Sequence, residues 1–230
     1  MRTFVAGGAD KIVFNDAAKL YPFSHRHTVA GWAYRTSDPI ATYRFAQESD
    51  ASGATRWYLA PNNNGSQGAP GWRYYVFASG GVYMDSWCFP WPPLNVWSHV
   101  AVSHDTTTIG TQPVCYVNGA VVGTTRFDNW NAAMATTDSV LRLGNSNAGG
   151  NGWPGSAQNI ANWSDILSLA EIQALARGVS PHRIRTGKLL WHYPMFPTTE
   201  EGDWAGGRAG ERVGTTIAPG QLPSGPMIVV

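Results

Sequence analysis

The chain has 230 residues, of which 13% are charged, and its formal net charge is +1. This near-neutral balance lacks the strongly basic surface that nucleic acid or an anionic membrane would require, so neither is expected as a partner. Glycine, proline and tryptophan are abundant, at 26, 15 and 11 residues, which is typical of short strands joined by tight turns. The length fits one all-β domain, alone or with an extension, that buries a core without disulfides or metals.

Strand-like segments recur through the first two thirds of the chain and are bounded by Gly, Pro, Asn or Ser. The predicted strands are 11–14, 27–34, 42–47, 55–60, 72–77, 81–84, 97–104, 114–117, 120–123 and 139–143. Between them, 62–71 and 145–154 are predicted loops because they are rich in Gly and Asn. The aromatic, proline-rich stretch 87–93 is interpreted as a structured loop.

Two local signals mark the later part of this region. Asn118-Gly119 lies between two predicted strands and indicates a tight hairpin, because both turn residues adopt positive φ. Ser168 and Glu171 form an S-x-x-E capping box at the start of a helix, and Gly178 is placed to end it. Apolar residues follow the cap at helical spacing, at Leu169, Ile172 and Leu175. We therefore predict one helix of about two turns that docks on the strands.

The two cysteines and the N-terminal residues bear on where in the cell the protein is made. Cys88 and Cys115 are too few for a disulfide framework or a structural zinc site. We expect two buried free thiols, with a single bridge between them as the alternative. Asp10 and Lys11 interrupt the apolar N-terminus, so no signal peptide is predicted, and no run approaches the roughly 18 apolar residues of a membrane span. Synthesis in the cytoplasm is expected.

The chain changes character after the helix. Residues 184–193 are predicted to form one strand, and 194–230 are rich in Gly and Pro with little periodicity. A compact domain seldom contains so long an irregular stretch. We interpret 1–178 as the β domain and 179–230 as an extended arm that holds a neighbouring molecule through apolar anchors. The predicted anchors are Trp191, Tyr193, Met195, Phe196 and Trp204.

Five short motifs occur in a specific order. They are the tryptophan strand 27–32, Trp97-Ser98-His99-Val100-Ala101, Tyr116-Val117-Asn118-Gly119, Leu141-Arg142-Leu143-Gly144 and Leu167-Ser168-Leu169-Ala170-Glu171-Ile172. In this order they resemble the laminin-G-like domains of the concanavalin A-like lectin and glucanase superfamily. The resemblance implies an antiparallel jelly-roll β-sandwich with one short helix. An acidic strand of the family is replaced here by a segment with Gln158 and Asn159, which weakens the transfer of any acidic or metal role.

The segment after the helix also has a likeness to known proteins. Residues 180–189 and Trp191-His192-Tyr193-Pro194-Met195 resemble the continuation of laminin-G-like proteins on tailed-phage particles. This resemblance implies a non-catalytic virion structural protein, such as a capsid decoration or particle-surface subunit. Its expected partners are other virion proteins such as the major capsid protein, and copies of itself in a multicopy assembly.

No enzyme activity and no cofactor are expected. Glycoside hydrolysis needs two carboxylates, but Glu171 is assigned to the helix cap and Glu200, Glu201 and Glu211 lie in the arm, which leaves Glu48 alone in the sandwich. A nucleophile elbow is lacking too. Calcium is the alternative, because laminin-G-like domains often bind it and five aspartates could supply oxygen ligands. The same aspartates can equally be interpreted as solvated turn residues. These are Asp50, Asp85, Asp105, Asp128 and Asp138.

Tryptophan-rich loops beside asparagines favour a second hypothesis. Aromatic platforms with neighbouring amides suit a glycan, and the same rings would equally suit a protein interface. The candidate glycan-binding residues are Trp57, Trp72, Trp153 and Asn147. The alternative to a virion structural protein is therefore a carbohydrate-binding, lectin-like adhesion module, and one protein could combine both roles.

Overall fold

A computed structural model describes residues 2–4, 11–14, 24–38, 44–49, 55–62, 70–78, 83–108, 110–129, 140–145, 152–195, 201–202, 205 and 209–213. One α-helix is present in these ranges, α1 (Leu169–Ala176), with two 3-10 turns, Pro181–Arg183 and Thr186–Lys188. The strands are β1 (Arg2–Phe4), β2 (Lys11–Phe14), β3 (Arg26–Arg35), β4 (Ala46–Ser49), β5 (Thr55–Asn62), β6 (Gly71–Phe77), β7 (Tyr83–Phe89), β8 (Trp97–Asp105), β9 (Val114–Val117), β10 (Ala120–Val122), β11 (Thr125–Asn129), β12 (Val140–Leu143), β13 (Gly155–Trp163), β14 (Leu189–Tyr193), β15 (Glu201–Gly202) and β16 (Ala209–Val213).

The strands form two antiparallel sheets. A seven-stranded sheet has the order β1-β13-β3-β8-β9-β10, with β14 also paired to β13, and a nine-stranded sheet has the order β11-β7-β6-β5-β4-β12-β2-β16-β15 among the described residues. Non-consecutive neighbours in both sheets mean that the chain crosses repeatedly between them. The predicted jelly-roll sandwich with one short helix is therefore confirmed.

The core lies between the two sheets and is rich in aromatic rings. Successive side chains of a strand point to opposite faces, so Trp57 and Leu59 of β5 and Trp72 and Tyr74 of β6 all point inward. Val29 and Val100 meet them from the seven-stranded sheet. The largest buried rings include Trp57, Trp72, Trp87, Trp153, Trp163 and Trp191.

The local signals for the hairpin and the helix are confirmed. Asn118 and Gly119 have φ of 50° and 78°, and they join β9 to β10. The side chain and backbone of Ser168 form the capping box with Glu171. The helix buries Ile172 and Leu175 on the outer face of the seven-stranded sheet. There they meet Ala30, Ala101, Tyr116, Ala161 and Trp163.

The structure tests the loop predicted for 87–93 and the free thiols predicted for the two cysteines. Trp87 and Phe89 were assigned to a loop, which is wrong: they belong to β7, where they pair with Tyr74 and Trp72 of β6. Cys88 and Cys115 are free and buried, as expected. Among the described residues, no helix has both the length and the apolar character needed to cross a bilayer.

The interpretation of 179–230 as an extended arm is wrong for the described residues that directly follow the helix. Strand β14 pairs with β13, with Trp191 opposite Asn162 and Tyr193 opposite Ile160. The carbonyl of Ile184 accepts a hydrogen bond of 2.8 Å from Nε1 of Trp163. Further on, β16 pairs with β2. These segments are strands and turns of the sandwich, so residue 178 does not mark a domain boundary.

The predicted arm anchors are part of the core. Trp191, Tyr193 and Met195 are each 0% exposed within the chain itself. These side chains are enclosed by other core residues of the same chain, so they are not available to a partner. Their assignment as arm anchors is therefore wrong. Phe196 and Trp204 lie outside the described residues.

Candidate ligand-binding face

The predicted glycan-binding tryptophans do not form a surface site. Trp57, Trp72 and Trp153 are at most 1% exposed, and Trp72 stacks on Trp153 with ring centroids 5.3 Å apart. Trp57 and Trp72 lie within strands and point to the core, so the assignment to ligand-binding loops is wrong. Asn147 lies outside the described residues.

A different set of aromatic rings is partly exposed, on the outer face of the seven-stranded sheet. Trp32 and Tyr34 of β3 lie opposite His99 and Trp97 of β8. The ring centroids are 5.5 Å apart in both the Trp32–His99 pair and the Tyr34–Trp97 pair. Trp32, Tyr34 and Trp97 keep part of their surface accessible. We call these four residues the aromatic face.

The aromatic face adjoins a small cleft at the C-terminal end of α1. The cleft has a volume of about 10 Å3, enough for one water molecule or one hydroxyl group. A larger ligand would therefore lie across the aromatic face and place a single group into the cleft. The residues that line it are Ala30, Trp32, His99, Asn159, Trp163, Leu175, Val179 and Pro181.

His99 is one of the polar residues that line this cleft. Its side chain is 2% exposed, and its Nδ1 has no hydrogen-bond partner among the described residues. Burial lowers the pKa of His99 from 6.5 to about 3, so the imidazole is neutral near neutral pH. A buried polar atom without a partner costs about 1–3 kcal/mol. A ligand hydroxyl that reached Nδ1 would recover that free energy.

Asn159 supplies a second polar group. It lies at the irregularity in β13 where the pairing with β3 shifts between Gln158 and Ala161. Its φ is 49°, a left-handed conformation that Asn adopts more readily than most residues. Oδ1 of Asn159 lies 3.2 Å from Nε2 of His192. Since that oxygen accepts from the imidazole, the amide NH2 of Asn159 is left as a donor beside the cleft.

His192 is also uncharged. Burial, and secondly the nearby His182, lower the pKa of His192 to about 3. The rings of His182 and His192 are 5.0 Å apart in an edge-to-face arrangement. The neutral tautomer that donates from Nε2 is the one that fits the carbonyl oxygen of Asn159. The imidazole of His99 that lines the cleft and the imidazole of His192 that contacts Asn159 are therefore both neutral.

The pairing of β3 with β8 explains why sequence reasoning missed this face. Because side chains alternate between the two faces of a strand, Ala30 and Trp32 lie on the face opposite to Val29, and the burial of Val29 in the core makes Trp32 an outer residue. The sequence did not show that the helix covers Ala30 and stops before Trp32. The backbone amide of His99 donates a hydrogen bond of 2.8 Å to Oδ1 of Asn118, which leaves its imidazole for the cleft.

A second polar cluster lies in the core around Glu48. Oε1 accepts hydrogen bonds of 3.1 Å from both Nε1 of Trp191 and Nδ2 of Asn162, and Oε2 lies 3.3 Å from Nη1 of Arg56. These contacts join β4 and β5 of one sheet to β13 and β14 of the other. The carboxylate is committed to holding the two sheets together, which is a structural role.

The aspartates proposed for calcium make other contacts. Asp85 accepts from Nε of Arg126 at 2.9 Å, Oδ1 of Asp105 accepts from the backbone of Thr107, and Asp128 accepts from Ser86. Asp50 and Asp138 lie outside the described residues. In the part of the chain that the structure describes, no group of three or more His, Cys, Asp or Glu side chains is placed to hold a metal.

The two-sheet sandwich with a helix on one outer face defines the chain as a lectin-like jelly roll. A family model described as the concanavalin A-like lectin/glucanases superfamily matches residues 6–173. The chain belongs to this superfamily. No curated protein is significantly similar to it.

Solved structures share the fold at low sequence identity. A putative carbohydrate-binding protein from Bacteroides ovatus is 16% identical, with a TM-score of 0.62 over 96% of this chain and 61% of that one. A heptameric SAP-like pentraxin from Limulus polyphemus is 16% identical, with a TM-score of 0.59 over 78% and 82% of the two chains. The carbohydrate-binding module of a Ruminococcus gnavus sialidase, solved with sialyllactose, is 16% identical, with a TM-score of 0.51 over 76% and 96%. At this identity the likeness concerns the fold.

Proposed function

We propose that the protein is a non-catalytic carbohydrate-binding module and that its ligand lies on the aromatic face. The observation that supports this is the row of partly exposed rings, Trp32, Tyr34 and Trp97, beside the polar cleft. An aromatic ring offers a flat apolar surface to the C–H face of a sugar. A few convergent polar groups then fix the orientation of the ligand, and here these are Asn159 and His99.

The comparisons support the same kind of activity. Two of the similar structures are described as carbohydrate binding, one of them in complex with a sialylated lactose. Glu48 supports a binding role over catalysis, because its carboxylate is buried and hydrogen-bonded between the sheets. A glycosidase requires such a group to face the scissile bond together with a second carboxylate.

Membership of a virion stays a prediction based on the likeness of residues 180–195 to proteins of tailed-phage particles. The structure gives those residues an internal role, since Trp191 contacts Glu48 and Ile184 contacts Trp163. A particle-surface location, a multicopy assembly and contact with a major capsid protein would be compatible with glycan binding. They need a test of their own, namely detection of the protein in purified particles.

Binding to a glycan array, followed by calorimetry on the best ligand, tests the proposal. Trp32→Ala should weaken binding about tenfold or more, which corresponds to the loss of about 1.4 kcal/mol of ring contact. Phe127→Ala is the matched control, because Phe127 is 36% exposed on a strand of the other sheet. Equal affinities for the wild type and Trp32→Ala would contradict the assignment of this face.

A further inference from the structure

The aromatic face is bounded on one side by a wall. Leu175 of α1, with Val179 and Pro181 just after it, lines the cleft beside Trp32 and His99. The helix covers Ala30, the residue that precedes Trp32 by two positions on β3. A ligand lying along β3 would therefore meet the wall directly next to the Trp32 ring.

Ion pairs and close packing hold this wall in place. Nε of Arg185 lies 2.6 Å from Oε1 of Glu171 in the first turn of α1, and Nη1 of the same arginine lies 2.8 Å from Oδ2 of Asp165. On the other side, a Cβ added to Gly119 would be 3.2 Å from Cβ of Ala176, so the hairpin turn is packed closely against the helix. The wall is a fixed part of the fold.

In the other direction along β3 the face continues. The Tyr34–Trp97 pair follows the Trp32–His99 pair at a spacing of roughly 6.6 Å, which is two residues of a strand at about 3.3 Å each. Beyond Trp97, residues 93–96 are exposed. The face thus offers two successive platforms, one against the wall and one next to the open side.

The polar groups are concentrated at the walled platform. Asn159 and His99 both line the cleft beside Trp32. The terminal sugar of a chain has a free hydroxyl where an interior sugar carries a glycosidic bond. A cleft large enough for one hydroxyl, with two polar groups around it, fits that terminal hydroxyl, and the wall blocks any further residue.

The lining of the cleft also favours an uncharged ligand. None of the described residues that line it is a lysine, arginine, aspartate or glutamate. An acidic sugar placed there would lose hydration without gaining a counter-charge, which is unfavourable. Neutral hydroxyl groups would instead match the amide of Asn159 and the imidazole of His99.

We infer that the aromatic face binds the end of a neutral glycan chain, with the terminal sugar on Trp32 against the wall and the next sugar on Tyr34 and Trp97. This inference rests on the proposed carbohydrate-binding function. It adds the class of ligand, neutral and recognised at a chain end, and the order of the two sugars on the face.

The test uses the full chain and a defined set of probes: cello-, laminari-, malto- and mannohexaose, the matching disaccharides and monosaccharides, lactose and sialyllactose. We expect a neutral hexaose to bind, its disaccharide to bind within about tenfold of it, and sialyllactose to bind no more tightly than lactose. Tyr34→Ala should weaken the hexaose and disaccharide but leave the weak binding of the monosaccharide unchanged. Loss of monosaccharide binding in Tyr34→Ala would overturn the order of the two platforms.

The number of binding sites distinguishes chain-end recognition from interior recognition. Calorimetry with soluble polysaccharides built from the same sugar as the bound hexaose should give the same number of protein molecules bound per polysaccharide molecule, whatever the length of the polysaccharide. Site numbers that grow with chain length, or a preference for sialyllactose, would overturn this inference and leave the carbohydrate-binding function in place. A failure of every probe and of the wider glycan array to bind would overturn both.

Discussion

The contact between Trp191 and Glu48 decides whether the chain after α1 is part of the folded domain. Trp191→Phe keeps an aromatic ring in β14 and removes the Nε1 donor, which lies 3.1 Å from Oε1 of Glu48. A hydrogen bond to a charged group contributes about 1.5–3 kcal/mol. Trp191 is fully buried, so the smaller ring also leaves unfilled space that costs about 1 kcal/mol or more.

We therefore expect Trp191→Phe to lower the free energy of unfolding by about 2.5–4 kcal/mol, measured by urea denaturation followed by far-UV circular dichroism. Trp97→Phe makes the same chemical change on the partly exposed aromatic face. Its effect should stay within about 0.5 kcal/mol, as for most surface substitutions. A Trp191→Phe variant as stable as Trp97→Phe would refute the reasoning, because the segment would then lie outside the cooperative unit.

A double-mutant cycle separates the contribution of the charge on Glu48 from the effect of ring size. In a Glu48→Gln background the acceptor is neutral, so removal of the indole donor should cost less than it does in the wild type. The difference is the coupling energy of the pair, and residues in direct contact typically show about 0.5–3 kcal/mol. Because the amide oxygen of the glutamine can still accept from the indole, a coupling of zero would mean that the charge of the acceptor contributes nothing to the loss.

Two further predictions concern stability. Gly119→Ala should destabilise the protein by about 1–2 kcal/mol, because the φ of Gly119 is 78° and a new Cβ would lie 3.2 Å from Cβ of Ala176. Gly123→Ala is the control, since nothing lies within 4 Å of a Cβ added there. Equal melting temperatures for the two variants would argue against this prediction. Burial lowers the pKa of His27 to about 3 and that of His104 to about 4, from 6.5. The unfolded chain takes up these protons first, so stability should fall as pH decreases from 6.5 toward 4 and be independent of these groups above that range. His104→Gln should make this decline shallower in urea titrations at stepped pH.

Features encoded within a few residues could be predicted from the sequence. Asn118-Gly119 and the Ser168–Glu171 box each specify their own backbone geometry, and both formed as expected. The predicted strand 27–34 likewise corresponds to β3. In each case the information needed lies inside one turn or one strand, so distant parts of the chain do not alter it.

Features that depend on distant pairing could not be predicted in the same way. Trp191 was read as an anchor because its neighbours after the helix lack periodicity, yet β14 is stabilised by pairing with β13 and by the contact to Glu48. Trp57 and Trp72 were placed in predicted strands but assigned to a glycan site because Gly- and Asn-rich loops lie next to those strands. Which face of each strand meets the core depends on the packing of the two sheets, and that packing points both rings inward.

The same limit applies to the aromatic face, and it also explains how one sheet combines stability with binding. Trp32 and His99 meet only through the register of β3 with β8. Inward residues such as Val29 and Val100 fix that register by burial, so the outward residues of the same strands contribute little to it. The helix covers Ala30 and Ala101 on the outer side and leaves Trp32, Tyr34 and Trp97 partly accessible. Substitutions of Trp32 or Trp97 should consequently affect ligand binding with little effect on folding, whereas those of Trp57, Trp72 or Trp153 should do the reverse.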